Sequence, residues 1–167
     1  MSGKAADKRK HHAGSREPRA CREEGVVKKL CKETDMLKKL DHIGIAVESI
    51  ETALKFFRDS LGLKLQKIEE VPGQKVRVAF LPIGKTHIEL IEPTSPDSPV
   101  KKFLSEKGEG IQHIAFETDD VQNALDSLQA KGVQLIDASP RPGAGGSKVA
   151  FLHPKSTHKV LIELCKH

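Results

Sequence analysis

The stretch DHIGIAVESIETAL at 41–54 returns as QHIAFETDDVQNAL at 112–125. His42 and His113, Ile43 and Ile114, Ala53 and Ala124, and Leu54 and Leu125 are identical at an offset of 71. The same offset lays Val78–Leu81 over Val149–Leu152, and Ile88-Glu89-Leu90 returns as Ile162-Glu163-Leu164 at an offset of 74. Self-similarity at one period means that one supersecondary unit is used twice. The chain beyond Met36 therefore reads as a tandem duplication.

Working outward from the repeat, residues 40–47 alternate, with Ile43, Ile45 and Val47 on one side and His42, Gly44 and Ala46 on the other, as in a half-buried strand. Ile114 and Phe116 stand opposite His113 and Ala115 in the second copy. An amphipathic helix follows in each. Ser49 or Asp120 supplies the cap, and Ile50, Ala53, Leu54, Phe57 and Leu61, then Val121, Ala124, Leu125 and Leu128, recur at helical spacing. Gly62 and Gly132 end the two helices. Three strands follow each helix, near 63–69, 75–82 and 86–92, then 133–137, 147–152 and 159–165. The unit is βαβββ, twice, and the class is α+β.

The chemistry falls at equivalent places in the two copies. His42 and His113 share a position in the first strands, beside the small residues Gly44, Ala46 and Ala115. Glu89 and Glu163 share a position in the last strands, inside the apolar runs HIELI and VLIEL, where a carboxylate is costly without compensation. A lone strand histidine is commonly structural, and a lone glutamate in such a run is commonly an edge or salt-bridged residue. Pairing by the repeat changes that balance, because a pseudo-twofold axis would gather all four. Two imidazoles and two carboxylates suit a divalent cobalt, manganese, nickel, iron or zinc ion. His87 has no counterpart in the other copy and reads as a rim residue. His153, in the turn HPKS, fits a substrate contact or a turn-former equally. His158 and His167 read as uninvolved, and Cys165 as packing.

Of the net charge of +5 over 167 residues, residues 1–35 carry ten basic and six acidic side chains, leaving 18 against 17 for the rest. Nucleic-acid binding by the body is disfavoured, because counterion release needs clustered cations, and there is no Trp or Tyr to stack bases. No run of eighteen apolar residues exists, so no membrane span is expected. Three cysteines, Cys21, Cys31 and Cys165, lack disulfide or zinc spacing and point to a reducing, cytoplasmic setting. Residues 1–35 read as a disordered basic tail. Lys32–Met36 can be encoded AAG GAG ACN GAY ATG, a ribosome-binding sequence before a start codon, which suggests a translated leader upstream of Met36. Residues 36–167 read as a single domain of two modules, 36–105 and 106–167.

At these residues the chain resembles the vicinal oxygen chelate superfamily, and within it the methylmalonyl-CoA epimerase family. The resemblance runs from Met36 to the end. LDHIGIAV at 40–47 is shared widely across the superfamily. IELIEPTSPDSPVKKFL at 88–104, KGEGIQHIAF at 107–116 and PRPGAGGSKVAFLHPKS at 140–156 followed by VLIEL at 160–164 resemble the epimerase branch. The resemblance implies two βαβββ modules forming a curved mixed-sheet cup around a metal, with helices outside. It implies His42, His113 and Glu163 as metal ligands, with Glu89 as a fourth or water-mediated one, and cobalt as the favoured ion. The implied partners are an acyl-CoA substrate and a second copy in a homodimer.

The implied reaction interconverts (R)- and (S)-methylmalonyl-CoA by removing and returning the proton on carbon 2. Glu163 is the first candidate base. Some members use a glutamate on the strand corresponding to Gln74–Leu81, which here has none, so Glu89 is the candidate second base. Gln112 stands where His-His is common, and Thr157-His158-Lys159 replaces a frequent glycine-containing turn. Lys101, Lys102, Arg141 and Lys155 read either as contacts to CoA phosphates or as solvated charge. A glyoxalase-like lyase or isomerase on a small thiol adduct, and a non-catalytic binding member of the same fold, are the alternatives.

Overall fold

The computed structural model describes residues 36–167. The readings of a disordered tail and a translated leader lie outside the described residues. Alternation over 39–46 gives strand β1 (Lys39–Ala46), which leads into helix α1 (Ile50–Leu54), capped by the Ser49 hydroxyl accepting from Thr52 N–H. Three strands follow: β2 (Lys67–Val71), β3 (Val76–Ile83) and β4 (Thr86–Pro93). Helix α2 (Pro99–Lys107) leads to the second copy, made of β5 (Gly110–Glu117), α3 (Val121–Ala130), β6 (Arg141–Pro142), β7 (Lys148–Leu152) and β8 (Ile162–Lys166).

One eight-stranded sheet runs β2-β3-β4-β1-β5-β8-β7-β6. Each module contributes four neighbours in the same internal order. β1 pairs with β4 and β5 with β8 in parallel, and β1 joins β5 antiparallel. The antiparallel seam places the pseudo-twofold axis between the two histidine strands, as the repeat requires.

One face of the sheet is covered by α1 over Ala79, Leu81 and Leu90, and by α3 over Ala150, Leu152 and Leu164. The opposite, concave face holds Val71, Val76, Val78, Phe80 and Ile91, and Val149 and Phe151. Among the described residues no helix is long and apolar enough to cross a membrane.

Four local expectations are corrected. α1 opens into a π-helical turn over Lys55–Ser60, with Leu61 N–H donating to Phe56 C=O. The wider turn shifts the helical phase, so Leu61, expected in the core, is 57% exposed. α2 was not expected. Its Val100 and Leu104 pack on the concave side of module one, so not every helix lies outside the cup. The strand expected at 133–137 is reduced to a bridge between Leu135 and Leu152, and β6 has two residues. Pro140 and Pro142 lack the N–H that a longer ladder would need. Finally, the strand expected at 159–165 begins only at Ile162, because the turn before it holds His158 and Lys159 in the left-handed region, at φ 54° and 69°, where glycine would be free of strain.

Candidate metal and acid-base site

The register of the four central strands builds the site in two rows. In one, Glu89 on β4 lies beside Gly44 on β1, which lies beside His113 on β5. In the other, Glu163 on β8 lies beside Ala115 on β5, which lies beside His42 on β1. Each histidine is thus separated from a glutamate by a residue with little or no side chain. Gly44 is essential to this spacing, since a Cβ there would stand 2.3 Å from His113 Cε1. Phe80 and Phe151 extend the rows behind Glu89 and Glu163.

All four side chains are buried. His42 Nε2 and His113 Nε2 are 2.9 Å apart, and the Glu163 oxygens lie 3.8 Å and 3.4 Å from them. Glu89 joins from the side, its Oε1 3.6 Å from His42 Nδ1. The structure therefore gathers His42, His113 and Glu163 about one point, with Glu89 flanking it.

Two residues that strand alternation misses complete the arrangement. The β1–β5 ladder skips Asp41 and Gln112, so each histidine is preceded by a β-bulge residue. A bulge re-aims side chains, and here it brings a residue that would face away to its neighbour's ring. Asp41 Oδ2 accepts from His42 Nδ1 at 3.0 Å, and Gln112 Oε1 accepts from His113 Nδ1 at 2.5 Å. The available signal was a polar residue directly before each repeated histidine. His167, expected to be uninvolved, lies 3.0 Å from Asp41 Oδ2 and lines the cavity.

With both Nδ1 atoms donating, the two Nε2 atoms face each other at hydrogen-bond distance, a place that a proton or a metal ion fills. Burial works against an imidazolium at His42, but Asp41, Glu89 and Glu163 outweigh it and raise its pKa. Burial and the His42 charge push His113 down to about 3, so its Nε2 is an unprotonated acceptor. The convergence of two imidazole nitrogens and a carboxylate on one buried point is a nitrogen-oxygen donor set that fits a divalent metal.

The Cys165 sulfur also approaches His42 and Glu163. In the metal-free chain burial raises its pKa and the thiol donates to Phe116 C=O. Burial also raises Glu163, to about 7, and raises Glu89. Asp41 goes the other way, since bonds from His42, His167 and Lys39 overcome its burial and hold it well below the usual carboxylate range.

Loading an ion must displace protons from Glu163 and His42, both held above their ordinary values. Metal affinity should therefore rise with pH up to about 7, where Glu163 gives up its proton, and the His42 proton adds to the dependence in the same direction. Calorimetric titration in buffers of different ionisation heat measures the protons released; an affinity flat from about pH 5.5 to 7.5 would contradict the assignment.

The four side chains open into a cavity of about 530 Å³. Its module-one wall is apolar, with Val71, Val76, Val78, Ile91 and Val100, and Lys75 and Arg141 add positive charge. Arg141 stacks 5.1 Å over the Phe151 ring and pairs with Asp137 at 3.3 Å. The other cations read as possible CoA contacts do not line the cavity: Lys101 pairs with Glu48, Lys102 approaches Glu106 at 3.9 Å, and Lys155 lies on the turn at 154–156. His87 is not part of the lining either. His153 Nδ1 accepts from Lys155 N–H, which is the turn-forming role.

Residues 41–151 match the family described as the glyoxalase/bleomycin resistance protein/dioxygenase superfamily. An ethylmalonyl-CoA/methylmalonyl-CoA epimerase of Cereibacter sphaeroides is 36% identical over 131 residues, covering 77% of this chain and 98% of that one. The chain belongs to the methylmalonyl-CoA epimerase family. Within that family, the Streptomyces coelicolor methylmalonyl-CoA epimerase, solved in complex with 2-nitronate-propionyl-CoA, superposes with a TM-score of 0.75 at 41% identity, over 77% of this chain and 94% of that one. The uncharacterized protein YqjC of Bacillus subtilis is 49% identical over 130 residues, 78% of this chain and 93% of that protein. The cup of paired modules expected from the resemblance is thus the family's fold.

Proposed function

We propose that residues 36–167 form a metal-dependent epimerase that interconverts (R)- and (S)-methylmalonyl-CoA by taking the proton from carbon 2 and returning it to the opposite face. The observation that carries this reading is a pair of buried carboxylates, Glu89 and Glu163, related by the repeat, both with raised pKa, flanking one pair of histidines. A divalent ion held by His42, His113 and Glu163, with Glu89 alongside, would supply Lewis-acid stabilisation for the charge that develops on the thioester oxygen.

The chain's own groups do the rest. Glu163, buried beside the histidine pair, is placed to take or give the proton. Glu89 serves the opposite face, because β3 presents Val78 to the cavity and no carboxylate. The apolar wall excludes water and keeps both acids weak. Lys75, paired with Asp97, and Arg141, paired with Asp137, are the cations at the cavity that an anionic acyl-CoA would meet. The proposal includes a cytoplasmic setting, supported by the three cysteines without a pairing pattern, and a homodimer, supported by the family resemblance.

Incubation with (S)-methylmalonyl-CoA in deuterated water, with and without a chelator, tests the reaction. Exchange at carbon 2 that the chelator abolishes supports it; no exchange with metal supplied refutes it. Turnover of a small thiol adduct instead would identify a glyoxalase-like enzyme, and binding without turnover a sequestering protein.

A further inference from the structure

The two histidines are equivalent by the repeat, but the groups behind them are not. His42 has a carboxylate at Nδ1 and His113 has an amide. Asp41 is 1% exposed and also meets His167 and Lys39, each at 3.0 Å, so it is held from three sides. Both acceptors arrive through the same device, a bulge residue immediately before the histidine. A carboxylate can only accept from the ring, so His42 must carry a proton on Nδ1 and direct Nε2 toward His113, where a metal would replace any Nε2 proton. The Gln112 carbonyl imposes the same tautomer on His113 without adding charge.

We infer that Asp41 and Gln112 are paired positioning residues that fix the tautomer and ring direction of the two metal-binding histidines, and that Asp41 makes His42 the stronger donor. The inference rests on the proposed metal site and on nothing in the epimerisation chemistry. A hydrogen-bonded carboxylate raises the basicity of the far ring nitrogen, and loss of such a partner usually weakens metal binding about 10- to 100-fold. The alternative role for Asp41 is a buried ion-pair anchor for Lys39 and His167, which would influence stability but not the ligand field.

Cobalt(II) binding by the full chain separates these roles, with affinity measured by chelator competition, the visible cobalt absorption recorded, and thermal unfolding followed in parallel. Asp41→Asn, which keeps an acceptor of the same shape, should weaken cobalt binding about tenfold, and Asp41→Ala about 100-fold, with an altered cobalt spectrum. Gln112→Ala should weaken it about tenfold, whereas Gln112→Glu, which places a second carboxylate behind His113, should tighten it. A purely structural role does not predict that tightening.

Cobalt affinity within twofold of the parent chain in both Asp41→Asn and Gln112→Ala would overturn the inference, as would weakened binding in Gln112→Glu. If Asp41→Ala does not fold, the other three variants decide. Failure of the unmodified chain to bind cobalt overturns both this inference and the metal site. Intact cobalt binding without carbon-2 exchange overturns only the epimerase reading.

Discussion

Glu163→Gln will lower carbon-2 exchange by about 1,000-fold or more, the upper range for loss of a positioned acid-base group. The substitution keeps the shape of the side chain but leaves an amide that cannot take the proton. It also withdraws a charge from the point between His42 Nε2 and His113 Nε2, so metal affinity falls with it. Glu89→Gln separates the two effects, because Glu89 approaches the outer nitrogen of His42 and not that shared point. It should retain most of the metal affinity and still slow epimerisation about 100-fold or more. If exchange at carbon 2 survives Glu163→Gln at near-parental rate with metal loaded, Glu163 is not the base. Chiral analysis of the product alongside deuterium content then shows which carboxylate serves which face.

Gly44→Ala is expected to be almost as damaging, although glycine has no side chain to contribute. The new methyl carbon would stand 2.3, 2.6 and 2.8 Å from three atoms of the His113 ring. That ring is held on its other edge by Gln112 and packs edge-on to Phe151 with centroids 5.6 Å apart, so it has no free direction in which to yield. The expected outcome is a loss of about 10- to 100-fold in metal affinity, a scale set by removing support from a ligand. Thermal stability should fall by about 1–3 kcal/mol, the usual cost of overpacking. Ala46→Gly, in the same strand but next to module one's apolar cluster, makes a useful control. It should cost stability without moving metal affinity. Equal metal affinity in Gly44→Ala and the parent would show that His113 does not need its present position.

The four charged or imidazole side chains were legible because duplication writes each of them twice, and a glutamate inside HIELI and VLIEL contradicts its apolar surroundings. Asp41 and Gln112 were not, since strict alternation points them away from their neighbours and only a bulge brings them round. Composition does not encode a bulge; it follows from how two strands from different modules come into register. The phase shift in α1 is of the same kind, with a π turn undoing a helical pattern that ran cleanly through Leu61. α2 differs, because its signals were present in plain form: Ser98 at the cap, Pro99 at the first position and Gly108 at the end. His167 was discounted for its place at the end of the sequence, whereas β8 carries it straight to Asp41.

The axis between β1 and β5 bears on handedness. An enzyme that converts one epimer into the other must accept both as substrates, and the two differ only in which side of a carbon bears the hydrogen. The repeat sets one buried glutamate in each copy, so one bound pose meets an acid on either side and no second subsite is needed. The two sides still part in detail, because Glu163 lies at the point shared by both histidines and Glu89 beside the outer nitrogen of His42.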